Sequence, residues 1–221
     1  YRRANSEWRG TRAGPPPAFS DEGRRMNDHA EQRRAMRVEL RERRAGLSPK
    51  EQADVAVAVR TRLARIVGLE RAQVVGGYRA IRGEVDLDAA LTRLHDGGAM
   101  VTVPRVSGDR LDFLPWSPTS ETVAGSFGID EPTNGEPLPL SQHDVVLVPL
   151  VAFDETGQRL GQGGGFYDRA IAAAGAFRPL LIGVAHAFQQ VRSVPVEAWD
   201  MPLDAVVTEE RVHEFRVGCL S

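Results

Sequence analysis

The chain has 221 residues, of which 42% are hydrophobic and 26% charged, and a formal net charge of −2. No run approaches the roughly 18 consecutive apolar residues of a membrane-spanning helix, and Cys219 is the only cysteine. A membrane span, a disulfide framework and a cysteine-rich metal site are therefore excluded, the near-neutral balance does not suit a nucleic-acid-coating protein, and a cytoplasmic protein is expected.

Residues 1–44 carry twelve arginines against seven acidic residues, so a basic segment precedes an acidic body. Residues 1–27 contain Pro15, Pro16 and Pro17 and show no apolar period. They read as a disordered tail, or as upstream sequence ahead of a start near Met26. From Asp28 to Ala45 a charged helix is predicted with a thin apolar stripe of Met36 and Leu40. Arg33, Arg37, Arg41 and Arg44 fall on one face of it, because they are spaced four, four and three apart. Ser48, Pro49 and Glu51 form a helix start. Val55, Val59 and Leu63 carry that helix forward, and Gly68 is a plausible stop.

Val74–Tyr78 reads as a short buried strand. A helix is expected from Asp86, with Leu87, Leu91 and Leu94 inward, ended by Gly97 and Gly98. Ala99–Val103 and Leu111–Trp116 read as strands. Ser117–Leu140, rich in Pro, Gly, Ser and Thr, reads as a long surface excursion. Val145–Phe153 is a strongly apolar strand, and Pro149 marks a bulge or an end within it. A glycine-rich loop over Asp154–Gly165 leads into a helix over Phe166–Ala174. Strands follow at Leu180–Ala185, Ala205–Thr208 and Val212–Val217. Strands alternating with helices, several of them apolar on both faces, predict a three-layer α/β/α single domain over residues 28–221 around a mainly parallel sheet.

The glycine loop carries the chemical signal. Gly161, Gly163, Gly164 and Gly165 let backbone approach a ligand closely, and their N–H groups can face anionic oxygens. The helix that follows adds the positive end of its dipole. Arg159 can pair with a phosphate through two donors. The loop is neither a P-loop, which needs Gly-Lys-Ser/Thr, nor a dinucleotide fingerprint, which needs glycine where Phe166 stands. A tight structural turn remains the alternative. Asp168, just inside the next helix, and Asp204, at the start of an apolar strand, are candidate Mg²⁺ ligands. Asp168 is equally well read as a carboxylate favoured by the helix N-terminus.

The stretch Val148-Pro149-Leu150-Val151-Ala152-Phe153-Asp154, with Arg159-Leu160-Gly161 and Gly163-Gly164-Gly165-Phe166-Tyr167-Asp168, resembles 5-formyltetrahydrofolate cyclo-ligases, also called 5,10-methenyltetrahydrofolate synthetases. Gly83-Glu84-Val85 and Val194–Asp204 also match that family, and the likeness spans about residues 30–212. The resemblance implies an enzyme that uses ATP and Mg²⁺ to convert 5-formyltetrahydrofolate to 5,10-methenyltetrahydrofolate. The formyl oxygen would be phosphorylated first and displaced by the folate N10, releasing ADP and phosphate.

By the same resemblance Arg33, Arg37, Arg159, Gly161, Gly163, Gly164, Gly165, Phe166 and Tyr167 would bind ATP. Arg159 and Tyr167 would take part in catalysis. Tyr78, Arg79, Glu84, Phe127 and Gln162, with Gly163 through Phe166, would meet the folate. Asp168 and Asp204 would bind Mg²⁺. Phe127 stands where some relatives carry Trp, Arg33 where some carry Lys, and Gly164 where some carry Lys. The partners implied are the two small-molecule substrates, with no nucleic acid and no membrane, acting on a monomer. A non-catalytic folate- or nucleotide-binding protein, or a sugar-phosphate isomerase-like enzyme on a related fold, are the alternatives.

Overall fold

The computed structural model of the chain describes residues 21–125, 128–197 and 199–221, with side chains from residue 28 onward. Of the tail expected over residues 1–27, residues 1–20 lie outside the described residues and 21–27 are helical. Helix α1 spans Asp21–Ala45, so it begins seven residues before the expected Asp28. Leu40 and Met36 pack with Val151, Ala152, Leu160 and Val194, which ties the helix to the segment leading into the glycine loop.

Helix α2 spans Pro49–Leu63 and starts as its sequence dictates. The Ser48 hydroxyl accepts from the Glu51 amide at 3.3 Å, and Glu51 accepts from the Ser48 amide at 2.8 Å, satisfying two orphan donors reciprocally. The helix ends at Leu63 rather than running to Gly68. Its last turn tightens through Arg65 to Arg62 and Ile66 to Leu63 bonds, the chain extends at the buried Ile66, and Gly68 falls inside the short helix α3, Val67–Glu70.

Strand β1 is Val74–Gly76, and helix α4 runs from Asp88 to Asp96. The expected start at Asp86 is displaced by two residues because the Asp86 carboxylate accepts from the Asp88 amide at 2.8 Å, as an Asx turn ahead of the helix. Strands β2, Met100–Ser107, and β3, Arg110–Pro115, form an antiparallel hairpin. The excursion from Ser117 holds a small ribbon of an exposed β4, Thr122–Ala124, and β5, Asp130–Pro132, in which Glu131 and Pro132 are buried. Strand β6, Val145–Pro149, ends at its proline, and the chain resumes as a hairpin of β7, Ala152–Phe153, with β8, Arg159–Leu160. Helix α5, Phe166–Ala174, is followed by β9, Leu180–Val184, β10, Ala205–Val207, and β11, Val212–Glu214.

The main sheet has the order β11-β10-β9-β6-β1-β2-β3. Its five inner strands are parallel, and β11 and β3 close the two edges antiparallel. The period of two along β6 sends Val145 and Leu147 to one face, where they pack with Leu63 of α2 and Leu91 of α4. Val146 and Val148 go to the other, with Ile171 of α5 and Phe113. The sheet is thus covered on both faces, which is why β6 reads as an uninterrupted apolar run.

Candidate active site

The site is built where β6 gives out at Pro149. Because proline cannot donate to the ladder, pairing stops there and the chain is free to leave the sheet. It reverses at Asp154, whose carboxylate accepts from the Thr156 amide at 2.9 Å and the Thr156 hydroxyl at 2.6 Å. It then returns through β8, and Gly161–Gly165 cross to the start of α5. Gly163 has φ 108° and Gly165, the residue capping α5, has φ 64°, a backbone region that side chains other than glycine's occupy with strain. No side chain caps α5, so the N–H groups of its first turn face the loop.

Two cavities flank this crossing. One, of about 270 Å³, is walled largely by rings and aliphatic groups including Tyr78, Ile81, Val106, Leu111 and Phe166. The other, of about 280 Å³, is lined by Arg33, Arg37, Gly163, Trp199 and Asp200. Gly161, Gly165 and Asp168 line both.

The second cavity takes two arginines from one face of α1 and sets them against the carboxylates of Asp168, Glu197 and Asp200. Arg33 pairs with Asp200 at 2.5 Å and donates to the Pro195 carbonyl at 3.1 Å. Arg37 donates from Nε to the Gly161 carbonyl at 2.9 Å. Burial lowers the pKa of Arg37 below its ordinary value, and the neighbouring charges of Arg33 and Arg41 lower it further. That mutual repulsion is relieved by any anion placed between them.

Arg159 is 3% exposed, and both of its terminal nitrogens donate to Asp168 Oδ1, at 2.9 and 2.7 Å. Its Nε is buried without a partner. Burial pulls its pKa down while the Asp168 charge opposes the shift. The Tyr167 hydroxyl is also buried and unpartnered, and burial drives its pKa far above the usual phenol range, so it stays protonated.

On the apolar side Tyr78 is buried and donates to the Val85 carbonyl at 2.9 Å. Glu84 accepts from the Ile81 amide at 3.2 Å and from Gln162 Nε2 at 2.7 Å, with Arg44 at 3.8 Å. Desolvation raises its pKa, against the opposing pull of Arg44. Arg79 lines the same cavity and pairs with Asp88 at 2.6 Å. Phe127 lies outside the described residues.

The two expected Mg²⁺ ligands, Asp168 and Asp204, stand in different surroundings. Asp204 is 2% exposed at the start of β10, and both of its oxygens are taken. Arg178 donates to each at 2.8 Å, Arg216 approaches Oδ1 at 3.2 Å, and the Leu181 amide donates to Oδ2 at 2.8 Å. It lines neither cavity, whereas Asp168 lines both. An acid before an apolar strand reads identically in the two roles, so spacing could not separate them. No group of three or more potential metal ligands occurs among the described residues.

The structure adds Asp200, Arg41 and Arg44 to the expected residues. The common face of Arg33, Arg37, Arg41 and Arg44 was the available signal for the last two; nothing local marks Asp200 as the partner of Arg33. His186, at the end of β9, meets the Gly83 carbonyl at 2.9 Å through Nε2 and stacks on Phe188, so it braces the loop that carries Glu84.

A doubly covered parallel sheet with a glycine loop between a polar, arginine-bearing cavity and a largely apolar one is a layout in which an α/β enzyme can bring a polar group beside a ring-bearing one. Comparison with known proteins narrows the class. The model of the 5-formyltetrahydrofolate cyclo-ligase family matches residues 29–209. A 5-formyltetrahydrofolate cyclo-ligase of Escherichia coli (strain K12) is 39% identical over 181 residues, covering 80% of this chain and 100% of that protein. One of Haemophilus influenzae is 32% identical over 79% of this chain and 96% of its own length. The solved structure of Aquifex aeolicus 5,10-methenyltetrahydrofolate synthetase superposes with a TM-score of 0.75 at 33% identity, covering 84% of this chain and 94% of that one. The chain belongs to the 5-formyltetrahydrofolate cyclo-ligase family and is an enzyme of the ligase class. No described helix is long and apolar enough to cross a membrane.

Proposed function

We propose that this protein uses ATP to convert 5-formyltetrahydrofolate to 5,10-methenyltetrahydrofolate, with release of ADP and phosphate. The observation that carries the reading is the sharing of Gly161, Gly165 and Asp168 by two cavities, one polar and bearing Arg33 and Arg37, the other largely apolar. A triphosphate in the first and a folate in the second would meet over those residues.

The chemistry needs that meeting. An amide oxygen is a poor leaving group until it is phosphorylated. The formyl oxygen attacks the γ-phosphorus and ADP departs; N10 then attacks the activated carbon and phosphate leaves. The chain's part is positioning and charge stabilisation. Arg33 and Arg37 hold phosphate oxygens, and the N–H groups of Gly161–Gly165 and of the first turn of α5 face them. Arg159 stabilises charge on the phosphoryl group in transfer, and the protonated Tyr167 hydroxyl supplies a donor. Tyr78, Arg79 and Phe166 border the folate ring system, while Glu84 and Gln162 meet its polar edge. A carboxylate accepts from the ring N–H and amino donors of a pterin.

Mg²⁺ accompanying ATP fits this donor set. Both Arg159 nitrogens and the Met201 amide converge on Oδ1 of Asp168, leaving Oδ2 for a cation. Mg²⁺ commonly takes only one or two carboxylates beside phosphate oxygens and water, so one acid is sufficient. It would screen the phosphate charge when bound. Gly164 belongs to the same design: a Cβ there would stand 2.6 Å from the Phe166 ring, so the loop gains a ring contact where some relatives carry a lysine. Both substrates are small and soluble, which fits a monomer acting in the cytoplasm.

The test is to mix the protein with 5-formyltetrahydrofolate and Mg-ATP, following the near-ultraviolet absorbance of the methenyl product and ADP together. Coupled appearance of both, dependent on ATP, is expected. Ligand binding without product would favour a non-catalytic binder and overturn the reading.

A further inference from the structure

Three residues from three separate elements form a chain of directed hydrogen bonds along the wall of the apolar cavity. Arg41, on α1, donates to Gln162 Oε1 from Nε at 3.0 Å and from Nη2 at 2.8 Å. The same Nη2 reaches the Gln162 carbonyl at 2.7 Å. Gln162 Nε2 then donates to Glu84 Oε1 at 2.7 Å. A guanidinium only donates and an ionised carboxylate only accepts. The amide between them is therefore held in one orientation, since a flip would set its NH₂ against the guanidinium and its oxygen against the carboxylate. Arg44, one turn on, reinforces the far end: its Nε donates to the Arg82 carbonyl at 2.9 Å, and Arg82 is the only non-glycine residue with positive φ among the described residues, at 50°.

We propose that Arg41 is a positioning residue that fixes the Gln162 amide toward Glu84, and so binds the glycine loop and the Glu84 loop into one unit. On the reading of function given above, on which this inference rests, the tie joins the phosphate-binding and folate-binding sides before either substrate arrives. Arg41 acts through Gln162 rather than on the substrates. Its removal frees the amide to flip and leaves Glu84, buried as it is, without its side-chain donor.

The experiment has a ligand-free arm and a kinetic arm. Hydrogen exchange is compared in unliganded wild type and Arg41→Ala, with Arg34→Ala, on the exposed face of α1, as control. Exchange about fivefold faster at residues 161–165 and also at 81–85 in Arg41→Ala is expected, the size of one lost hydrogen bond. Acceleration in neither loop, or equally in the control, overturns the proposal whatever the protein catalyses. In the kinetic arm, Arg41→Ala should raise the folate KM about tenfold with kcat nearly kept, and Arg41→Ala/Gln162→Ala should be no worse than Gln162→Ala alone. Arg41→Lys keeps the charge without the planar fork and should recover little of the loss. Effects that multiply in the double variant, or full rescue by lysine, would overturn the role assigned to orientation. A wild type without turnover, but with both loops released in Arg41→Ala, would overturn the functional reading and support the tie.

Discussion

Asp168 and Asp204 each take two guanidinium hydrogen bonds from one arginine, yet the regions around them differ in kind. At the start of β10 both oxygens of Asp204 are occupied, by Arg178, Arg216 and the Leu181 amide, and it lines neither of the two cavities. At the start of α5 the contacts to Asp168 converge on Oδ1, and the residue lines two cavities. A buried charge whose every lone pair is engaged holds structure together; a charge left partly open beside a cavity is available for a ligand. The same contrast sorts the other polar groups. Arg37, with a single backbone acceptor, and the unpartnered Tyr167 hydroxyl belong with Asp168.

The largest effect is expected at the closed region. Asp204→Ala should cost about 3 kcal/mol, the low end for breaking a buried ion pair, because Arg178 and Arg216 are part-exposed and can be rehydrated. In thermal unfolding this is a Tm lower by about 6–12 °C. An unchanged Tm would break the comparison. At the open region, Arg37→Ala should raise the ATP KM about thirtyfold, as expected for a lost charge-assisted hydrogen bond, and hardly move Tm. Substrate titrations at fixed folate would show it.

Glu84→Gln should raise the folate KM about tenfold while leaving the ATP KM alone. The same variant carries a pH signature. Desolvation raises the folded pKa of Glu84 above its unfolded value, so the native state holds the proton more tightly and wild-type stability falls as pH rises through that window. Glutamine cannot titrate, so Tm of the variant relative to wild type should climb from acid towards neutral pH. A flat difference would show that Glu84 meets its charge without penalty. The smallest effect belongs to an exposed, locally satisfied group: Ser48→Ala should lower stability by about 1 kcal/mol, measurable by urea unfolding, with kinetics intact.

What was legible in the sequence was local. The capping box at Ser48, the end of β6 at Pro149 and the passage from glycine loop into α5 all depend on neighbours within a few residues. The alternation of strands and helices, with apolar runs long enough to be covered on both faces, marked the parallel sheet. Strands β4 and β5 carry no apolar period, so composition alone made them a loop. Residues 21–27 are mostly polar, with Gly23 among them and no apolar period, and give no sign that α1 includes them. The hidden part of the site is long-range. Arg33 and Asp200 are 167 residues apart, and Gln162 and Glu84 are 78 apart. Arginines 33, 37, 41 and 44 could be placed on one face, but what that face meets depends on the tertiary fold. Asp204 misled for the same reason, since the arginines that occupy it arrive from 26 and 12 residues away.

Methenyl-product formation by Asp168→Asn and Asp204→Asn, each compared with wild type at equal folded concentration and saturating Mg-ATP, tests the central assignment most directly. Asp168→Asn leaves the buried Arg159 without its counter-charge and should itself lower Tm, and per folded molecule it should lose about 100-fold in turnover, the scale of removing one electrostatic group from a reacting centre. Asp204→Asn should be less stable yet turn over at the wild-type rate per folded molecule. A fully active Asp168→Asn, or a stable but inactive Asp204→Asn, would contradict the placement of the reaction at the start of α5.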